Sequence, residues 1–316
     1  MLKKTERLIQ QYGWASSICI VAFFFLLFNL LATPLINSGD DTFLLYTLSG
    51  GYGEAPTNLL HYNHIWHPWL GGMVKWLFVT FPGVNWYTIT LLLFHTAGCS
   101  CLLYVLLKRT NCWLAILLFL VLFVFTETRQ LLSLTFTGAA FVAGAGAMCL
   151  AIHQFQQKRF ISANTIFALL LLVLSGMLRL QIAWLGILLF ASIGATQLKW
   201  PQLLRLGAAM VIVVALLWGL NKIQVQYYSN HIPGWKQQEQ FRQSLFYSYN
   251  RQLVTTIPPG TFTDSAEQQL FFTGFLYDSV KFNTERVSAI SKQITRNRSL
   301  ANREDRAGLY WFFIEL

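Results

Sequence analysis

The sequence predicts an all-α polytopic membrane protein with about seven or eight spanning helices, and three observations predict it. The chain is 55% hydrophobic and only 11% charged, with a mean hydropathy of +0.47, whereas soluble domains carry roughly 25% charged residues. Several apolar runs approach or reach the ~20 residues that a helix needs to cross a bilayer. The basic residues cluster on alternate connections between those runs, the pattern of cytoplasmic loops. Lys3, Lys4 and Arg7 precede the first run, Lys108 and Arg109 follow the next, Lys158 and Arg159 another, and Lys199 and Arg205 mark a later short loop. The net charge of +10 is therefore read as topology, with no nucleic-acid partner. It places the chain in the plasma (inner) membrane with the N-terminus cytoplasmic.

The elements follow in order. The first span, 15–36, is too long for a signal-peptide core and no small-residue cleavage site follows it, so it is read as a retained helix. Pro34 kinks or terminates it. An external loop covers 37–68, and the amphipathic stretch 67–81, HPWLGGMVKWLFVTF, lies along or dips into the outer interface. Span two is 86–107. Spans three (111–126) and four (130–152) form a hairpin with TETR at the external turn. Spans five (161–177) and six (180–197) form another, with GMLR outside, and span seven is 203–222. The membrane module thus ends at 222, and 223–306 is a polar extracytoplasmic segment. The final run, 307–316, is too short to span, so it is read either as resting in the interface or as the start of a further helix in a truncated chain. All five cysteines lie in apolar runs and none forms CxxC, so neither disulfides nor a thiolate metal site is predicted.

Against this apolar background the stretch NSGDDTFLLYTLSGG, 37–51, places two adjacent carboxylates directly after the first span. One reading is structural. NSGDD is turn-rich, and Ser38, Asp40 or Asp41 can cap a helix through TFLLYTL. The other is chemical: a carboxylate at the membrane surface can act as general base on an acceptor hydroxyl. Its neighbour can orient the acceptor or hold a divalent cation.

A first helix, an acidic pair at the head of the first external loop, interfacial segments and further spans together resemble the C-type (GT-C) glycosyltransferase superfamily. NSGDDTFLLYTLSGGYGEAP and HPWLGGMVKWLFVTFPGVNWYTI resemble the opening of multi-pass proteins from bacterial surface-polysaccharide clusters. LTFTGAAFVAGAGA, GMLRLQIAW and GWKQQEQFRQSLFYSYNRQL extend the similarity over most of the chain. The resemblance implies an inverting transfer of a sugar from a polyprenyl-phosphate donor to an extracytoplasmic glycan or lipid acceptor. Asp40 or Asp41 would be the base, and the sequence does not rank them. A divalent cation, Mg or Mn, would be held through Asp41 and His64 if the reaction uses one.

Further residues fit such a site, each beside a plainer reading. Arg179, isolated in SGMLRLQIAW, suits a donor phosphate or snorkels to fix helix depth. Arg129 either meets the same phosphate or pairs with Glu127. His61, His64 and His67 recur at spacings of three, so His64 and His67 read as donor contacts, metal ligands or interfacial packing. Trp66, Trp69, Trp76, Trp86 and Tyr87 read as belt anchors. In the long external segment Trp235, Arg242, Tyr249 and Arg251 are acceptor or donor contacts, and Asp264 and Asp278 secondary carboxylates, unless they are solvated loop residues. SGGYG lacks the Gly-Lys-Ser/Thr of a phosphate loop and reads as a turn. Two other functions compete: a transporter or flippase of lipid-linked sugars, and a non-catalytic assembly protein. A transporter needs ionisable groups near the bilayer midplane, and the spans look nearly free of them, His95 being the clearest interruption.

Overall fold

The computed structural model describes residues 6, 9–36, 38–51, 55–59, 66–232, 235, 254–273, 284–293 and 295–296. The chain divides into two compact units, Met1–Tyr227 and Tyr228–Leu316. The first is helical throughout its described elements: α1 (Gly13–Leu31), α2 (Gly39–Ser49), α3 (Pro68–Thr80), α4 (Trp86–Arg109), α5 (Cys112–Leu122), a π-helical turn (Phe123–Glu127), α6 (Thr128–Leu132), α7 (Phe136–Gln156), α8 (Ala163–Leu178), α9 (Leu180–Gln197) and α10 (Trp200–His231). Among the described residues six helical stretches, counting Cys112–Leu132 as one, are long and apolar enough to cross a membrane, and α8 is a shorter apolar helix. The protein is a polytopic helical membrane protein.

Local chemistry starts these helices. Ser38, Asn85, Asn111, Thr135 and Ser162 each stand in front of a helix and accept a backbone N–H of its first turn, which satisfies a donor that the helix itself leaves open. The first helix stops at Leu31, with Ala32 extended, short of Pro34, whose ring disfavours helix in the residue before it. Helix α2 ends on Gly50 at φ 80°, a left-handed conformation that glycine adopts without steric cost.

Helix α7 is the centre of the bundle. Most of its apolar window is buried (83%), against 22% for α1, α9 and α10. Its small residues make this possible, because they let neighbouring backbones approach closely. A Cβ on Gly98 of α4 would lie 2.3 Å from the Val142 carbonyl oxygen, and one on Gly146 would lie 2.3 Å from that of Gly98. Ser175 of α8 closes the other side by donating to the Ala140 carbonyl at 2.7 Å.

One expectation is corrected, and two elements extend the reading. TETR is not a turn: these residues run through the π-helical turn into α6, and the chain reverses at 133–135, where Thr135 caps α7. The reason is Glu127, which is buried and bonded to His95 of α4 at 2.6 Å, so its charge need not reach solvent. Helix α10 continues beyond the expected span, 203–222. Helix α10 has 32 residues, about 48 Å at 1.5 Å per residue, and 223–231 contain neither Gly nor Pro to end it.

The described residues of the second unit add two short strands to its helices. Strands β1 (Val254–Thr256) and β2 (Thr295–Arg296) pair antiparallel, Val254 opposite Arg296 and Thr256 opposite Thr295, beside helices α11 (Ser265–Thr273) and α12 (Thr284–Gln293). Residues 307–316 lie outside the described residues.

Candidate functional site

The acidic pair opens α2, and the helix separates its two members. Successive helical residues diverge by about 100°, so Asp41 turns into the bundle and Asp40 away from it. Asp41 is buried, at 1% exposure, while Asp40 is exposed. The Ser38 hydroxyl accepts the Asp41 N–H at 3.1 Å and donates to Asp41 Oδ2 at 2.6 Å. Asp41 Oδ1 accepts the Tyr87 hydroxyl at 2.5 Å and the Phe136 N–H at 2.8 Å. One carboxylate therefore joins α2 to the starts of α4 and α7. Burial pushes the Asp41 carboxyl above its ordinary range; Ser38, Tyr87 and the Phe136 N–H pull it back, and the neighbouring Asp40 charge adds to the rise. Asp40 forms no hydrogen bond or ion pair with a described residue.

Arg179 is the single extended residue between α8 and α9. Its guanidinium donates to Thr137 Oγ1 and lies 5.4 Å from the centre of the Phe136 ring. Burial lowers its pKa, and the charges of Asp40 and then Asp41 oppose that shift.

His67 caps α3 and fastens it to the same end of the bundle. Its backbone N–H donates to the Met177 carbonyl at 2.8 Å. Its Nδ1 accepts the Trp69 N–H at 3.3 Å, which leaves the proton on Nε2 to donate to the Leu220 carbonyl at 3.1 Å. This is a neutral imidazole. Burial lowers its pKa, with the Leu220 carbonyl acting the other way, and protonating Nδ1 would break the cap. Beside it lies a small recess, lined by His67, Met177, Leu180, Leu217, Leu220 and Asn221 among others.

The structure therefore brings Asp40, Asp41, Arg179 and His67 to one end of the bundle and gives each a different task. Other expected residues are placed elsewhere. Arg129 is exposed near the end of α6 and does not pair with Glu127, which belongs to His95. Asp264 caps α11, accepting the Glu267 N–H at 2.6 Å, while Glu267 reaches back to the Thr263 N–H. Trp235 is buried and stacked on Tyr228 at 4.8 Å, so its ring is committed to packing. Of the belt aromatics, Trp69 and Trp76 are exposed at 59% each, but Trp66 and Tyr87 are buried and stacked on one another at 5.1 Å.

His61, His64, Arg242, Tyr249, Arg251 and Asp278 lie outside the described residues. So does the expected partner of Asp41 in a cation site, and Asp41 itself is occupied by three protein donors. The described residues contain no cluster of three acidic, His or Cys side chains suited to a metal.

Sequence reasoning missed Tyr87, Thr137 and the Phe136 N–H, and it missed the buried pair of His95 and Glu127. Cys99 lies one turn from His95 on the same helix and is buried. Among the described residues, His95 Nε2, Ser100 Oγ and Trp66 Nε1 are buried with no hydrogen-bond partner. A polar residue at i and another at i+4 in an apolar helix was the signal for the His95 face. Its partner 32 residues on had none. Comparisons with protein-family models, with characterised proteins and with solved structures give no match.

Proposed function

We propose that the protein is an inverting membrane glycosyltransferase that moves a sugar from a polyprenyl-phosphate donor to an acceptor hydroxyl outside the cytoplasm. The observation that carries this reading is the separation of roles within the acidic pair. Asp41 is a buried tie, while Asp40 is an exposed carboxylate at the end of the bundle that also holds Arg179. In this mechanism Asp40 accepts the proton of the acceptor hydroxyl as the oxygen attacks the anomeric carbon. The bond from that carbon to the phosphate oxygen breaks, and polyprenyl phosphate leaves with the electron pair. Arg179, fixed by Thr137 and the Phe136 ring, offers its remaining N–H donors to the charge that develops on the leaving phosphate. The exposed apolar residues of α3, Trp69, Met73, Trp76 and Val79, suit a lipid-borne donor, since they repeat along one helix face.

The buried pair of His95 and Glu127 favours a second reading, a transporter of lipid-linked sugars, because intramembrane ionisable groups mark such pathways. One experiment separates the two. Purified protein in vesicles is supplied with labelled polyprenyl-phosphate sugars and a hydroxyl acceptor, and both transfer and donor translocation are followed. Transfer without translocation is expected, and Arg179→Gln should lower kcat more than tenfold, the loss of one charge-assisted contact of roughly 1.5–3 kcal/mol. Translocation without transfer would replace the transferase by the transporter.

A further inference from the structure

The opposite end of the bundle holds a second group of charges that the proposed transfer does not use. Arg109 closes α4, and three of its nitrogens are engaged by two other helices. Its Nε donates to His153 Nδ1 at 3.4 Å, Nη1 to Gln197 Oε1 at 3.0 Å, and Nη2 to Gln156 Oε1. These acceptors are themselves held: Gln156 Nε2 donates to Gln197 Oε1 at 3.1 Å, and its carbonyl accepts Gln202 Nε2 at 3.1 Å. All three acceptors are neutral, so the guanidinium is oriented without being neutralised. It keeps two of its five N–H donors, and the residue is exposed.

Two more cations stand beside it. Lys108 Nζ donates to the Gln10 carbonyl at 2.7 Å and lies over the Tyr104 ring. The charges of Lys108, Arg109 and Arg159 all act on His153, which gathers them at one place. Among the described residues no carboxylate forms an ion pair with any of the three. Exposed apolar side chains open the neighbouring elements at the same end: Trp113 at 52%, Ile161 at 93%, Trp200 at 69% and Leu204 at 56%.

We propose that this end binds the phosphate of an anionic lipid headgroup, with Arg109 as the fixed fork and Lys108 and Arg159 as flanking charges. A guanidinium already held in place loses little side-chain freedom on binding, and its planar donors match phosphate oxygens. The adjacent apolar residues favour a phosphate that arrives with acyl chains over a free ion. Alternate basic connections alone would give a diffuse positive surface; the hydrogen-bonded mounting of Arg109 is what makes a site.

The test uses the full chain in phosphatidylcholine nanodiscs with increasing phosphatidylglycerol, reading melting temperature and the lipid retained on native mass spectrometry. The wild type should melt higher as phosphatidylglycerol rises, and added salt should weaken the effect. Arg109→Gln should weaken retention roughly fivefold, the value of about one basic contact at a membrane surface. Lys108→Gln, whose target lies on the exposed end of its helix, should lose less in the same direction. Equal melting of the wild type in both lipids would overturn the proposal, as would full retention in both variants. Inorganic phosphate in pure phosphatidylcholine nanodiscs should not reproduce the shift; if it did, the ligand would be a soluble anion and the lipid assignment would fall.

Discussion

The two ends of the bundle treat charge in opposite ways. At the end where α2, α4 and α7 begin, Asp41 is sunk to 1% exposure and occupied by Ser38, Tyr87 and the Phe136 N–H. At the other end Arg109 and Lys108 stay exposed and are steadied by neutral acceptors. Burying an ion is costly unless every polar partner is in place, so the first end spends its polar groups on fixing geometry and leaves one carboxylate, Asp40, uncommitted. The second end leaves its cations solvated and free to meet an outside anion. The lesson is that a functional charge is recognised less by its burial than by what remains unspent around it.

The rule has its sharpest case between the ends, in the pair of His95 and Glu127, at 0% and 1% side-chain exposure. Glu127→Ala should lower unfolding stability by about 3–5 kcal/mol, the range for breaking a buried pair, in urea or thermal unfolding of detergent-solubilised protein. Replacing both residues by apolar ones of similar volume should recover much of that loss. A double variant no better than the single ones would mean that the pair is more than a mutual tie.

Asp41 comes next. Asp41→Ala strands the Tyr87 hydroxyl and the Phe136 N–H, and each buried donor left unpaired costs about 1–3 kcal/mol. A loss of about 3 kcal/mol is therefore expected, whereas Arg109→Gln at the exposed end should stay within about 0.5 kcal/mol of wild type in a zwitterionic detergent. Equal losses at the two ends would erase the contrast drawn between them.

The smallest effect is in pH, and it has two signs at one end of the molecule. The Asp41 carboxyl is raised in the folded state, so the folded protein binds that proton more tightly and gains stability as pH falls from neutral toward the ordinary carboxyl value of 3.8. The His67 imidazole is lowered. Its contribution is complete above the ordinary value of 6.5 and is lost as pH falls below it through the folded value. Unfolding midpoints across this range should therefore lose their acid-side gain in Asp41→Asn, and should lose their decline below pH 6.5 in a His67→Asn variant, whose amide can still cap α3.

Much of this was legible in the sequence because it depends on neighbours. The apolar runs, the Asn, Ser and Thr caps, the helix after NSGDD and the stop before Pro34 are all set within a few residues. What was not legible depends on distant partners. Tyr87 is 46 residues from Asp41, and Phe136 is 95 away, so nothing local said which aspartate would be consumed. TETR read as a turn because charged residues usually mark span ends; His95, 32 residues earlier, removed that constraint. Helix α10 runs past the expected span because bilayer thickness limits a span and does not limit a helix. Arg179 stood out because an isolated arginine in an apolar stretch needs a reason, while its hold on Thr137 required the fold.

The most direct test compares Asp40→Asn with Asp41→Asn, measuring sugar transfer from polyprenyl-phosphate donors and unfolding of the same preparations. The account predicts that Asp40→Asn melts like the wild type and loses transfer, and that Asp41→Asn melts lower. An Asp40→Asn protein with full transfer, or an Asp41→Asn protein that melts normally and transfers nothing, would contradict it.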